Sequence, residues 1–248
     1  QVAALLAGDI DGIPRFGALQ SLKQFQADKR FTVEIGDTAG KGILALNNKK
    51  KPLDDVNVRK AIAYSLDKNF VTKALMGGFA VPADGPIVAT SPFAVSDVIK
   101  YPLDLKKAAE LLDAAGYKPG NGGERMKLTI DYLPGSDSQQ KIVAEYIRGQ
   151  LKKVGITVEV RASADFPSWA KRMATHDFDM SMDLVFNWRD PVIGVARTYL
   201  STNIKPIVWT NTQSYNNPKV DELLNTAGGI LDPVKRKAYY ATFQKIVT

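Results

Sequence analysis

The spacing of apolar and polar positions changes along the chain, and each change marks an element. In PLDDVNVRKAIAYSLDKNFVTKALMGG, Val58, Ala61, Ile62, Ser65 and Leu66 recur at helical spacing, with Asp54 or Asp55 where an N-cap belongs. Asp67 restarts the pattern as a second cap and Gly77 and Gly78 end it, which predicts two short helices meeting at a corner. A loop rich in proline and glycine, VPADGPIVATSPF, leads to a helix with Leu105, Ala108, Ala109, Leu112 and Ala115 as its inner stripe and Gly116 as its stop.

From Met126 the period shortens. Leu128, Ile130 and Tyr132 alternate with polar residues as on a half-buried strand. A helix with Ile142, Val143, Tyr146, Ile147 and Leu151 on one side follows, then a strand with Ile156, Val158 and Val160. Strand, helix and strand make a βαβ unit, which requires a parallel pair with the helix over one sheet face. The helix SWAKRMATH precedes a third alternating strand, in which Phe178, Met180, Met182, Leu184 and Phe186 share a face. Two last helices open with an N-cap followed by proline, Asn217–Pro218 and Asp232–Pro233. At the front, Phe31, Val33 and Ile35 suggest a strand leading through GDTAGKG to the apolar run ILAL. The class is α/β with a mixed sheet flanked by helices.

Composition, with 45% apolar and 24% charged residues in 248, is that of a globular chain able to hold a core without staples. The absence of cysteine removes disulfides, thiolate metal sites and thiol nucleophiles, and fits an oxidising compartment such as the periplasm. The opening QVAALLAGDID has neither a basic start nor a small-residue cleavage site; it reads as a helix entered in mid-course, and the chain as a fragment. The formal charge of +7 and the run NNKKKP raise a nucleic-acid reading. Bases are otherwise spread among acids and no aromatics interleave with a basic stripe, so a solvated loop and no nucleic-acid partner are expected.

Most candidate chemistry falls away on spacing. GDTAGKG has three residues between its first two glycine positions of interest, then Gly42 and a strand-like run, where a phosphate loop needs four, a Ser or Thr, and a helix. His176, the one histidine, sits at a helix end with no GxSxG elbow in the chain, so no catalytic residue is assigned. Asp179 and Asp183 stand roughly 13 Å apart along a strand at about 3.3 Å per residue, too far to share an ion at about 2.3 to 2.6 Å. They are expected in solvent or at caps, and neither a metal nor a cofactor is expected.

FNWRDP, residues 186 to 191, remains. Trp188 offers a flat surface with one N–H, Arg189 a planar fork of donors and Asp190 an acceptor, at the end of a strand where a sheet opens into a crevice. The same residues also suit a folded-back turn in which Arg189 and Asp190 pair with each other or with neighbours.

KKPLDDVNVRKAIAYSLDKNFVTKALMGGFAVPADGPI resembles the signature region of the family 5 extracellular solute-binding proteins, receptors of oligopeptide, dipeptide and nickel ABC importers. Pro52, Asp54, Asp55, Val56, Val58, Arg59, Ala61, Ile62 and Asp67 carry the match. ALLAGDIDG, FDMSMDLVFNWRDP and YNNPKVDELL with DPVKRKAYYATFQKIV resemble further family segments in the same order. The resemblance implies the carboxyl-terminal part of a periplasmic binding protein-like type II fold. Residues 1 to 45 would be the tail of the first lobe and the hinge, and 46 to 248 the carboxyl-terminal ligand-binding lobe, incomplete at its end. It implies a periplasmic or lipid-anchored extracellular receptor that clamps a small, peptide-like solute between two lobes. Its partners would be the missing amino-terminal lobe and an importer permease. The wall of the cleft would hold Phe186, Asn187, Trp188, Arg189 and Asp190, and Arg15 completes the ligand-binding set. In peptide-binding members an aspartate follows this tryptophan by three residues. Here Asp190 follows by two with Pro191 beside it, so it reads either as the ligand-facing acid or as the structural aspartate of a later Asp-Pro. A hydrolase with a cleft, or a solute sensor built on the same lobe, are the competing classes.

Overall fold

The computed structural model describes residues 1–248 except Arg15 and Arg189. Its elements are α1 (Val2–Ala7), α2 (Leu22–Ala27), β1 (Gly40–Leu46), α3 (Val56–Tyr64), α4 (Lys68–Phe70, prolonged by a wide turn over Val71–Leu75), α5 (Leu105–Ala114), β2 (Met126–Asp131), α6 (Ile142–Lys152), β3 (Ile156–Arg161), α7 (Phe166–Ala174), β4 (Met180–Phe186), α8 (Pro191–Gly194), α9 (Ala196–Tyr199), α10 (Pro218–Gly229) and α11 (Pro233–Val247). The expected caps form. Asp55 accepts from Asn57 N–H, Asp67 from Asn69 and Phe70, Asn217 from Lys219 and Val220, and Asp232 from Val234 and Lys235.

The sheet runs β1-β4-β2-β3. β2 pairs parallel with β3 and with β4, as the βαβ reading requires, and β1 is antiparallel to β4 over its whole length. The register puts Leu44, Leu46, Leu128, Ile130, Ile156, Val158, Met180 and Met182 on one face, packed against α3, α5 and α6 around Ala61, Ile62, Ala108, Leu112, Ile147 and Leu151. A second core joins Val195 and Ala196 to Val220, Leu224, Tyr240 and Phe243 of α10 and α11.

Two expectations need correction. Phe31, Val33 and Ile35 form no strand. β4 ends at Phe186, opposite Gly40, and the chain turns into α8 at Pro191, so the stretch before Gly40 has no continuation of β4 to run along. Phe31 packs edge-on against Phe25 instead, ring centroids 5.1 Å apart. Asp179 and Asp183 are enclosed rather than solvated, because α7 and the stretch from 198 to 213 cover the second face of β4 as a third layer. Asp179 is matched there: it accepts from Thr129 N and Oγ1 at 2.7 and 2.9 Å and pairs with Lys50 at 2.7 Å.

Candidate functional site

β2, β3 and β4 are parallel, so their carboxyl ends share one edge, the place where open α/β sheets leave a crevice. FNWRDP leaves the sheet at this edge, and its geometry is fixed from beneath. Asn187 is 4% exposed; its backbone N–H donates to Ala39 O at 2.9 Å, and its side chain accepts from Val88 N–H at 3.2 Å and donates to Gly194 O at 3.4 Å. Asp190 caps α8 through Val192 N–H and receives a two-pronged bond from Arg236, at 2.7 and 2.5 Å. The Arg236 guanidinium beside Asp190 holds its carboxyl below the usual carboxylate range. Arg236 also donates to Ala227 O and lies over the rings of Phe93 and Tyr240, which ties the turn to α10, α11 and the second core.

Trp188 is the member of the turn presented outward. Its ring stacks on Phe186, centroids 5.6 Å apart and planes 21° from parallel, and the residue is 51% exposed. Of the six sequence candidates, the structure brings together Phe186, Asn187, Trp188 and Asp190. Arg189 and Arg15 lie outside the described residues.

Gly194 sets how closely α8 packs under the turn. A Cβ there would lie 2.6 Å from Trp188 N, 2.7 Å from Asn187 Cα and 2.8 Å from Phe186 O, all backbone-attached atoms that cannot swing aside. Gly194→Ala is therefore expected to cost about 1–3 kcal/mol and to change the tryptophan emission. Gly149→Ala, in α6 with open space around it, is expected to stabilise by about 0.5–1 kcal/mol. Urea unfolding of both variants checks the pair, and equal midpoints would remove the packing argument.

On the opposite face of β4 from Phe186, the third layer leaves a cavity of about 40 Å³ lined by Lys41, Trp169, Asp183, Tyr199, Trp209 and neighbours. Burial pushes the Lys41 ammonium down to about 8 and the Asp183 carboxyl up to about 6. Asp183 accepts from Leu184 N–H and from the Trp209 indole at 3.3 Å. Trp209 in turn stacks on Phe166, centroids 5.7 Å apart. None of Lys41, Trp169 and Trp209 was a sequence candidate. The available signal was Lys41, Ile43 and Ala45 alternating with Gly42, Leu44 and Leu46, which the run ILAL masks.

His176 Nδ1 lies 3.1 Å from Thr212 O and 3.2 Å from Ser214 Oγ. A serine beside a histidine can be an activated nucleophile, but Ser214 is 4% exposed and Nδ1 faces a carbonyl, which needs the N–H tautomer that cannot accept the serine proton. Among the described residues no group of three or more His, Cys, Asp or Glu is placed to hold a metal ion.

A sequence model of the family described as "Bacterial extracellular solute-binding proteins, family 5 Middle" matches residues 1–206. The chain belongs to this family. Among curated family 5 relatives, Heme-binding protein A of Haemophilus influenzae is 28% identical over 99% of this chain and 44% of its own length. The glutathione-binding protein GsiB of Pectobacterium atrosepticum is 28% identical over 81% of this chain and 38% of its own. The chain thus spans less than half the length of these relatives. Among solved structures, DppA of Helicobacter pylori in complex with the peptide STSA superposes with a TM-score of 0.85 at 25% identity, over 99% of this chain and 46% of that one. NikZ of Campylobacter jejuni in complex with Ni(L-His) gives 0.86 at 23%, over 98% and 49%, and shows the shared fold. The mixed sheet with flanking helices is accordingly the family 5, type II binding-protein architecture. Among the described residues no helix is long and apolar enough to cross a membrane.

Proposed function

We propose that this chain is one jaw of a solute receptor serving an ABC importer outside the cytoplasmic membrane, in the periplasm or anchored by lipid, and that FNWRDP is a wall of its cleft. The observation that carries the reading is Trp188: a half-exposed indole, backed by Phe186, at the carboxyl edge of the sheet on a turn locked by Asn187, Gly194 and Arg236. A rigid aromatic at such an edge supplies binding surface at little conformational cost. Asp190 is already committed to Arg236 and to the α8 cap, so contact with the solute falls to the indole and to Arg189, with Arg15 from the amino-terminal stretch. The solute is small and peptide-like, in keeping with family relatives named for peptides, glutathione and heme.

The second jaw comes mostly from residues outside these 248, with residues 1–45 as the tail of that lobe and the hinge, and 46–248 as the carboxyl-terminal lobe. β1, which crosses the boundary at residue 45, is paired residue by residue with β4 and so moves with the larger jaw. The receptor acts by equilibrium closure without chemistry of its own: a solute that touches both jaws stabilises the closed state, and the permease reads that shape. This chain alone offers about half the contacts. Calorimetry is expected to show its solute affinity at least about a hundredfold below that of the receptor with both jaws, a gap of roughly 2.7 kcal/mol; equal affinities would refute closure between jaws.

A further inference from the structure

We infer that the cavity between β4 and the third layer takes a carboxylate group of the bound solute, held by Lys41 Nζ and the Trp169 indole N–H. This rests on the receptor reading and specifies the solute's chemistry.

Lys41 is 8% exposed, and its ammonium donates only to a neutral acceptor, the Pro86 carbonyl. No acidic side chain among the described residues lies within ion-pair distance of it, and burial alone accounts for its lowered basicity. A buried cation without a counter-charge is costly, and the ordinary remedy is an anion. Trp169, 1% exposed, has an indole N–H with no hydrogen-bond partner, which is equally unusual for a buried donor. Both side chains line the same cavity.

Lys41 faces Val185 and Ile43 faces Asp183 across the β1–β4 pair, so Lys41 and Asp183 are diagonal neighbours on one sheet face. They do not pair; the carboxyl is occupied by Leu184 N–H and Trp209. The wall therefore offers one cation and one neutral donor beside an acid. That set suits a singly charged planar anion and opposes a dianion such as phosphate, which Asp183 would repel. About 40 Å³ admits a compact group and not a whole solute.

Acetate is the probe, with acetamide as its neutral isostere, read on the indole N–H resonances of the three tryptophans in the 248-residue chain, the Trp169 signal being assigned by its loss in Trp169→Phe. Acetate is expected to shift the Trp169 resonance saturably, and acetamide to leave it in place. Lys41→Met should weaken the acetate response about tenfold or more, and Asp183→Asn, which keeps the acceptor for Trp209 and removes the repelling charge, should strengthen it about threefold. Equal shifts with acetamide, or an unchanged response in both variants, would overturn the assignment. The probe needs neither Trp188 nor closure. Failure here with solute capture intact removes the carboxylate pocket alone, whereas failed capture with the acetate response intact removes the cleft reading and leaves the pocket.

Discussion

Asp131→Ala is expected to lower the unfolding free energy by about 3 kcal/mol. Asp131 is 0% exposed at the carboxyl end of β2, and it accepts from two arginines at once: Arg161 Nη2 at 2.7 Å, from the end of β3, and Arg172 Nη1, from α7. Removing the carboxylate strands two guanidiniums beside each other. Each arginine side chain keeps 25% of its surface in solvent, so partial rehydration places the loss at the lower end of the range for a broken buried pair. Asp131→Asn keeps an acceptor and should lose less. Urea unfolding with an unchanged slope and a lowered midpoint is the expected result; a loss under about 1 kcal/mol would mean that α7 is held to the sheet by Trp169 and Met173 alone.

Much of the fold was legible in the residues because its signals are local. Asp55, Asp67, Asn217 and Asp232 each satisfy N–H groups two or three positions on, and the helices start where these caps stand. The alternation in β2 and β3 is readable because one face of each meets the core while Lys127, Thr157 and Glu159 remain toward solvent. β4 misleads for a long-range reason. Asp179 just before it, and Ser181 and Asp183 within it, look solvent-facing in the sequence, yet α7 and the stretch from 198 to 213 cover that face. The cavity at Lys41 escaped for the same reason, since it draws on β1, α7, β4 and the stretch around Trp209, and no spacing rule links positions 41 and 169. FNWRDP was visible as an unusual residue set. Its anchorage, in which Arg236 meets Asp190 from 46 positions away, was not.

Trp188→Ala is the second large expected effect, and it falls on binding rather than stability. The indole is half-exposed and rests on Phe186, so its removal should change unfolding by no more than about 0.5 kcal/mol. A solute lying on the outer face of the ring would lose a central aromatic contact, worth about 2 kcal/mol or roughly thirtyfold in affinity. Trp188→Phe, with a smaller ring on the same backbone, should recover part of the loss. The direct measurement is calorimetric titration of the receptor that carries this chain, with the solute identified by mass spectrometry of what co-purifies with it, in wild-type and Trp188→Ala forms of equal stability. A roughly thirtyfold weaker Kd in the variant is the predicted result; an unchanged Kd would contradict the placement of the cleft wall at this turn.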